Sequence, residues 1–376
     1  MYHPHVIRRF YVHNYRCLEN FELPIQSLSS ALLIGPNGAG KTTSSYALEI
    51  LQRIARGINR VGQLVAQTDF PYNRAVAPMR FEIEADLHGK TYSYILAFEL
   101  PEGFRELRVF EERLSTDGKL IFTRELAQVH LAKEGKEAEA QFSIDWHLVA
   151  LPLIQHKSSS DPLFVFRDWL ARVLILRPQP ALVKGDSTDE TLQPQPDLSD
   201  FAAWFSGLVS YAPSAYSKID MYLKEVIRDL WDIKNPPVGK DSKSLVVQFS
   251  TPQGSLTLPF SALSDGEKCF MFCATVLAAS ETYSPLVCFW DEPDNFLALS
   301  EVAHLVTALR KSFQSGGQFI ATSHNSEAIS SFSDESTFVL RRNSHLEPTV
   351  VRALSDVRAS GAFQGDLIHA ITRGDI

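Results

Sequence analysis

One short segment constrains the fold of this chain more than any other: a glycine-rich turn between an apolar strand pattern and an apolar helix pattern. The motif G-x-x-x-x-G-K-T lies within ALLIGPNGAGKTTSSYALEIL. Its residues are Gly35, Pro36, Asn37, Gly38, Ala39, Gly40, Lys41 and Thr42, and Thr43 follows. Glycines let the backbone curl so that successive N–H groups point inward, and the N-terminus of the next helix adds a partial positive charge. The segment therefore predicts a strand–loop–helix unit that binds phosphate groups, a P-loop.

Two side chains of this loop predict how the phosphates are bound. Lys41 is placed to reach the β- and γ-phosphates, and the hydroxyl group of Thr42 is placed to hold Mg²⁺. The alternative is an ordinary glycine turn, which the strand pattern before the motif and the helix pattern after it disfavour. The loop therefore predicts a nucleotide site.

Composition narrows the class of protein. The 376 residues are 45% hydrophobic and 21% charged, and the formal net charge is -8. This charge argues against a wholly basic surface that coats nucleic acid, although a local basic groove is compatible with it. The start of the chain has no apolar signal core, no apolar run reaches about 18 residues, and the four cysteines form no CxxC pair. We therefore expect a reduced, soluble, cytoplasmic protein without a membrane segment.

A second buried strand pattern ends in two carboxylates. SPLVCFWDEPDNFL contains an apolar run from Leu286 to Trp290, followed by Asp291 and Glu292. A strand without alternation is typical of a parallel sheet covered on both faces. At its carboxyl end Asp291 is placed to hold Mg²⁺, and Glu292 is placed to polarise an attacking water. The alternative, a solvated turn, is disfavoured because the chain also has a P-loop.

A helix and a third strand pattern follow. Apolar residues at helical spacing predict the helix, and they are Val302, Leu305, Val306, Leu309 and Phe313. Gln318 to Thr322 is the next strand, and His324 follows its end. If the two strands are parallel neighbours, His324 lies level with Asp291 and can sense the γ-phosphate. The alternative is a structural histidine.

The segment FSALSDGEKCFMF predicts the start of another helix. Ser264 and Glu267 form the capping-box pattern S-x-x-E. A helix N-terminus also binds anions well, so the same four residues are compatible with contact to a phosphate.

Taken in order, the P-loop, LSDGEK, DEP and TSH resemble the ABC-type ATPases. Within them the chain is similar to the soluble RecF/SMC-like branch, and to AAA family ATPases of bacterial antiphage and toxin-like systems. The resemblance covers about residues 1–60 and 245–345. It implies an α/β fold with a mostly parallel core sheet, an antiparallel β meander and a small helical insertion. Alternation from Met79 to about Arg124 independently predicts the meander.

The resemblance also implies how the nucleotide is bound. Two ATP molecules, each with Mg²⁺, would lie between two copies of the chain, and Ser264 and Gly266 of one copy would contact the nucleotide of the other. Arg16 matches a basic residue that reaches phosphate in this family, and its alternative is a solvated strand arginine. In contrast to the family's frequent aspartate, Ala298 follows Leu297.

The family also has a glutamine that senses Mg²⁺. Gln155 is the best-placed residue for this role, although an ordinary surface glutamine is the alternative. Gln63 and Gln67 are competing candidates.

Three regions are predicted along the chain. Residues 1–150 form a lobe with the P-loop and the meander, 151–240 a helical lid with a Pro-rich loop at 177–198, and 241–376 a lobe with the signature helix, Asp291 and His324. The insertion lacks sustained heptads, which argues against a long coiled coil. Residues 361–376 are interpreted as a packed terminal helix.

Two functions follow from the resemblance. The first is an ATP-hydrolysing homodimer that holds, senses or releases a protein effector, often a nuclease-type partner, in an antiphage or toxin-like system. The second is a DNA-repair or chromosome ATPase that clamps DNA and binds it in a salt-dependent manner. A transporter motor fits less well, because it needs a shorter spacing between P-loop and signature and a membrane partner.

Overall fold

The computed structural model describes residues 5–132, 140–282, 285–359, 368 and 370. The chain divides into two compact units, the first formed by Met1–Val173 with Phe332–Ile376 and the second by Leu174–Ser331. The division into three regions predicted from the sequence remains a prediction. The predicted terminal helix lies outside the described residues except at positions 368 and 370.

The secondary structure of the described residues alternates strands and helices. In chain order the strands are β1 (Val6–His13), β2 (Phe21–Leu23), β3 (Ser30–Ile34), β4 (Met79–Leu87), β5 (Lys90–Glu99), β6 (Arg108–Thr116), β7 (Lys119–Glu125), β8 (Gln128–Leu131), β9 (Ala140–Ser143), β10 (Leu174–Leu176), β11 (Asp186–Ser187), β12 (Leu230–Lys234), β13 (Pro237–Val238), β14 (Ser242–Ser244), β15 (Val246–Thr251), β16 (Gly254–Pro259), β17 (Val287–Trp290), β18 (Gln318–Thr322), β19 (Thr337–Arg341) and β20 (Val350–Ala353). The helices are α1 (Lys41–Ala55), α2 (Val61–Leu64), α3 (Pro162–Arg172), α4 (Phe201–Tyr211), α5 (Ser214–Val226), α6 (Asp265–Thr282), α7 (Leu299–Phe313), α8 (Ser326–Ser330) and α9 (Leu354–Ala359).

The first unit contains a long antiparallel sheet with the strand order β2-β1-β4-β5-β6-β7-β8-β9. In β4 the side chains alternate between buried and half-buried, so that Phe81, Ile83 and Ala85 pack into the core. Such alternation is expected where one face of a sheet covers the core and the other meets water. The predicted meander is confirmed, and the sheet extends beyond it through β1 and β2 on one side and β8 and β9 on the other.

A buried pair of charges anchors the chain that leaves this sheet. The carboxylate of Glu112 on β6 accepts hydrogen bonds from the backbone N–H groups of Ala150 (2.7 Å) and Leu151 (2.8 Å). Arg124 on β7 lies 3.8 Å from the same carboxylate and donates to backbone carbonyls of residues 145–148. Both side chains are fully buried. Burial raises the pKa of Glu112, and the hydrogen bonds to it oppose that rise.

The P-loop lies at the end of a separate group of strands in the first unit. The strand β3 pairs in parallel with β19, which pairs antiparallel with β20. All five residues of β3 are buried, and the helix α1 begins seven residues after the last of them, at Lys41. The predicted strand–loop–helix unit is therefore confirmed.

The second unit has a parallel group of strands in the order β10-β17-β18. In this group Trp290 pairs with both Leu176 and Ala321, so the carboxyl ends of the three strands meet at one edge. The predicted stripe on α7 is buried throughout. Parallel strands in the core, the antiparallel meander and helices α4 and α5 in the insertion confirm the predicted fold class.

The insertion also contains strands that the sequence did not predict. Short strands form the sheet β11-β14-β13, and a second sheet has the order β12-β15-β16. The strands of the first of these sheets have two or three residues and are too short to show a period in the sequence. The Pro-rich segment at 177–198 includes β11 and a 3-10 turn at Pro180–Leu182. Among the described residues, no helix combines the length and the apolar character needed to cross a bilayer.

Candidate active site

The P-loop has a backbone that only glycine adopts readily. Gly35, Gly38 and Gly40 have φ angles of 145°, 80° and 100°. A Cβ atom at Gly35 would lie 2.1 Å from the carbonyl oxygen of Leu340, and one at Gly40 would lie 2.8 Å from Oγ1 of Thr349. At Gly38 no atom lies within 4 Å of such a Cβ. Two of the three glycines are therefore required by space as well as by conformation.

The ammonium group of Lys41 is hydrogen-bonded to the backbone of this loop. Its Nζ donates to the carbonyl oxygens of Gly35 (2.7 Å) and Pro36 (3.3 Å), and the residue is 6% exposed. The helix α1 begins here with Gly40 as N-cap and without a side-chain cap. First-turn N–H groups that have no intrahelical partner, together with a positioned ammonium group, form a binding site for anions. The P-loop therefore fits the phosphates of a nucleotide.

Thr42 and Thr43 lie in the first turn of α1, where a hydroxyl ligand for Mg²⁺ is expected. Oγ1 of Thr43 lies 3.8 Å from Sγ of Cys17, and the carbonyl oxygen of Thr42 accepts a hydrogen bond from Ser45 (2.9 Å). The role of Thr42 as metal ligand stays a prediction.

Arg16 contacts α1, the helix that follows the P-loop. Its Nε donates to Oδ1 of Asp69 at 2.9 Å, and its guanidinium carbon lies 4.9 Å from the ring centroid of Tyr46 on α1. The side chain is 43% exposed. An ion pair and a cation–π contact place this charge beside α1, and its contact with a phosphate stays a prediction.

The three candidate glutamines are all exposed. Gln63 lies on α2 and Gln67 in a 3-10 turn, whereas Gln155 lies in the irregular segment that follows the backbone bound by Glu112. The hydrogen bond to Glu112 fixes the backbone at Leu151, four residues before Gln155. The choice of Gln155 as the residue that senses Mg²⁺ stays a prediction.

In the second unit, Asp291 and Glu292 follow β17 directly and both contact Thr322. The hydroxyl of Thr322 donates to Oδ1 of Asp291 at 2.6 Å. Oγ1 of Thr322 also accepts a hydrogen bond from the backbone N–H of Glu292 at 2.9 Å. Glu292 has a φ of 52°, which is unusual for a residue with a side chain. Backbone strain of this kind persists where surrounding contacts enforce it, and it is common at functional sites.

His324 lies beside Glu292, as expected for the ends of neighbouring parallel strands. Nε2 of His324 is 3.1 Å from Oε1 of Glu292, and the other carboxylate oxygen accepts a hydrogen bond from Asn295 at 2.6 Å. Glu292 and His324 are each about one-third exposed. The second unit therefore presents an oriented, accessible carboxylate with an imidazole against it.

The signature segment forms a reciprocal capping box at the start of α6. Ser264 donates its backbone N–H to Oε2 of Glu267 at 2.8 Å, and its Oγ accepts the N–H of Glu267 at 3.3 Å. This predicted cap is confirmed. A Cβ atom at Gly266 would lie 3.1 Å from the carbonyl oxygen of Phe296, so the loop after Glu292 packs on the first turn of α6.

Sequence reasoning missed three residues at the carboxylate edge. Arg177 follows β10, and a depression of about 130 Å³ is lined by Arg177 together with Asp291 and Glu292. Its signal was an arginine directly after an apolar run. Thr322 stands in the TSH segment, but neither its contacts nor those of Asp294 had a signal, since the partners lie about 30 residues away in the chain.

Comparison with known proteins places the chain in a family. The family described as "AAA domain, putative AbiEii toxin, Type IV TA system" matches residues 30–330. A curated relative, the "OLD nuclease" of Thermus scotoductus (strain ATCC 700910 / SA-01), is 44% identical over 46 residues. This match spans 12% of the chain and 8% of the relative's length.

Solved structures support the fold. The SMC head bound to the C-winged helix domain of ScpA is similar with a TM-score of 0.55 and 12% identity, over 94% of this chain and 99% of that one. The SMC head with an extended coiled coil bound to the C-terminal domain of ScpA, derived from Pyrococcus furiosus, gives a TM-score of 0.52 and 10% identity, over 95% and 98% of the two chains. At this identity the similarity concerns the fold.

The P-loop glycines predict a difference between two matched substitutions. Gly38→Ala meets only the conformational cost of a positive φ, about 1–2 kcal/mol. Gly35→Ala also places its methyl group against the carbonyl oxygen of Leu340. We expect Gly35→Ala to lower the Tm well beyond the few degrees lost with Gly38→Ala, as measured by thermal unfolding of both variants. Equal losses would contradict the close approach of the backbone at Gly35.

Proposed function

Because the chain belongs to this family of AAA domains, matched over residues 30–330, we propose that it is an ATP-hydrolysing subunit that dimerises around ATP and thereby holds or releases a protein effector. The pair formed by Glu292 and His324 carries the proposal, since a catalytic base and its neighbouring imidazole lie 3.1 Å apart at the end of a strand. The family is one of AAA-type ATPases. Hydrolysis by this chain, the dimer and the effector are the proposal.

Each residue has a distinct part in the proposed reaction. The P-loop N–H groups and Lys41 bind the β- and γ-phosphates. Thr42 and Asp291 would hold Mg²⁺, which when bound neutralises the charge that develops on the phosphate oxygens. Glu292 accepts a proton from the attacking water, and His324 contacts the γ-phosphate. The fit is supported by the uncapped start of α1 and by the hydroxyl group that orients Asp291.

The contacts of Glu292 suit a base more than a structural carboxylate. One oxygen faces Nε2 of His324, and the other accepts from Asn295, so the carboxylate plane is oriented by two side chains. A general base must be oriented and accessible to water, and Glu292 is about one-third exposed. A fully buried carboxylate that is hydrogen-bonded to two backbone N–H groups and a tyrosine hydroxyl, such as Glu112, lacks that access.

The dimer is supported by the surface around the start of α6. Ser264 is exposed there, and the segment whose Phe296 carbonyl approaches Gly266 carries two exposed large apolar side chains: Phe296 at 56% and Leu299 at 63%. Exposed apolar groups beside a polar helix start are common in protein interfaces. In this proposal Ser264 and Gly266 contact the nucleotide of the other copy.

A protein effector is supported by charge and by the family's description, which names a toxin–antitoxin system. The chain carries a formal charge of -8, which disfavours a surface that coats nucleic acid. Two of the similar SMC heads are bound to domains of ScpA, and the curated relative is a nuclease. A protein partner of nuclease type is therefore the effector that we propose.

Two substitutions separate binding from hydrolysis. Lys41→Ala removes the only side-chain charge of the P-loop, so we expect loss of ATP binding. Glu292→Gln keeps the shape of the side chain but removes the base, so we expect ATP binding with turnover reduced about 10²–10⁴-fold. Filter binding and phosphate release measure the two steps. Full turnover by Glu292→Gln would refute the role of Glu292.

The dimer gives a second prediction. With ATP and Mg²⁺, the Glu292→Gln variant should elute as a dimer in light-scattering chromatography, because nucleotide bound between two copies stabilises the closed state. Ser264→Arg places a bulky charge on the exposed start of α6, so this variant should bind ATP and stay monomeric. Lys41→Ala serves as the control without nucleotide. An ATP-independent mass for all three proteins would contradict the proposal.

Affinity purification of Glu292→Gln from its native cells, with ATP and Mg²⁺, identifies what the closed state binds. We expect a stoichiometric protein partner with an absorbance ratio at 260 and 280 nm typical of protein. Lys41→Ala, purified in parallel, should lose that partner. Nuclease-sensitive nucleic acid without a protein partner would favour the DNA clamp instead.

A further inference from the structure

We infer that Thr322 is a positioning residue that sets the geometry of both carboxylates, Asp291 and Glu292, through one buried hydroxyl group. The inference rests on the proposed function, because it concerns how the proposed metal ligand and base are aimed. Thr322 is fully buried at the end of β18. It is two residues before His324 and is the first residue of the TSH segment, in which only His324 was given a role from the sequence.

The hydroxyl of Thr322 has contacts to both residues. Its hydrogen goes to Oδ1 of Asp291 at 2.6 Å, and its oxygen accepts the backbone N–H of Glu292 at 2.9 Å. A threonine hydroxyl has one hydrogen to donate, so donation to Asp291 uses it fully. The directions of both hydrogen bonds are determined, because a carboxylate can only accept a hydrogen bond and a backbone N–H can only donate one. One oxygen atom therefore orients the side chain of Asp291 and the backbone of Glu292.

The backbone contact bears on the strain at Glu292. With a φ of 52°, Glu292 lies in the left-handed region, which is unfavourable for a residue with a Cβ. This conformation turns the chain sharply after β17, so that consecutive side chains take different directions. The hydrogen bond from the N–H of Glu292 to Thr322 is the contact that holds this turn at its first residue.

The two neighbours of Thr322 bind the same loop. Ser323 donates its hydroxyl to Oδ2 of Asp294 at 2.8 Å, and Nε2 of His324 lies 3.1 Å from Oε1 of Glu292. Three consecutive residues at the end of β18 thus contact the residues that follow β17. The pairing of Trp290 with Ala321 sets this correspondence, because it places residue 322 level with residue 291.

A substitution series isolates the hydroxyl. Thr322→Val keeps the branched shape and removes the oxygen, whereas Thr322→Ser keeps the oxygen. Thr337→Val is the matched control, since Thr337 is also a fully buried strand threonine whose hydroxyl donates to a backbone carbonyl. Thermal unfolding of each variant first reports the loss of stability. If Thr322→Val does not fold, Thr322→Ala is measured in the same way.

Two readouts then distinguish positioning from stability. The first is binding of Mn²⁺ in the presence of a non-hydrolysable ATP analogue, followed by electron paramagnetic resonance without turnover. The second is steady-state ATP hydrolysis at saturating metal. Loss of a group that orients a metal ligand commonly costs 10–100-fold in metal affinity or activity. We expect Thr322→Val to lose both by about that factor, and Thr322→Ser and Thr337→Val to stay within about threefold of the unmodified chain.

The outcomes separate this inference from the proposed function. If the unmodified chain binds metal and nucleotide and hydrolyses ATP, but Thr322→Val does so equally, the inference is wrong and the function stands. Equal impairment of folded Thr322→Ser and Thr322→Val would also overturn it, since the hydroxyl would then be irrelevant. If the unmodified chain neither binds nor hydrolyses ATP, the proposed function fails and the inference with it.

Discussion

The parallel pairing of β17 with β18 is the constraint on which the arrangement of Asp291 and Glu292 depends. Parallel neighbours end at the same edge, and this register brings residue 322 level with residue 291. Every contact of Asp291 and Glu292 with Thr322 and His324 follows from that alignment. A shift by one residue would turn each of these side chains to the opposite face of the sheet. The buried apolar residues of both strands therefore determine where the polar residues after them meet.

The conformation of the P-loop depends on close packing as much as on charge. At Gly35 the backbone passes so close to the carbonyl oxygen of Leu340 that no side chain fits, and at Gly40 the same is true near Thr349. Both neighbours lie on or next to β19 and β20, far along the chain from the loop. Since these later residues form the wall against which the loop packs, the P-loop is complete only when both ends of the first unit have folded together.

The elements with a strong local period could be predicted from sequence, whereas the contacts between them could not. The α7 stripe, the strand at Gln318–Thr322 and the capping box of Ser264 each follow from a few neighbouring residues, and the structure confirms them. The network of Glu112 with Arg124 and residues 150–151 joins parts of the chain up to 39 residues apart, and its members look like ordinary charged residues of alternating strands. Thr322 stands in the TSH segment, yet its contacts with Asp291 and Glu292 escaped notice for the same reason. Its importance is a property of the register between two strands, which no local pattern encodes.

The contact between Phe296 and Gly266 bears on how the two halves of a dimer could communicate. The family's frequent aspartate is replaced by Ala298, yet the loop that begins at Glu292 still packs its backbone against the first turn of α6. Phe296 holds a φ of 72°, so the approach is again enforced against a local preference. In a dimer closed around ATP, a displacement of the start of α6 would be transmitted to Glu292 through the backbone of residues 292–296. Coupling by this route needs no side chain at position 298, because a carbonyl oxygen and a glycine make the contact.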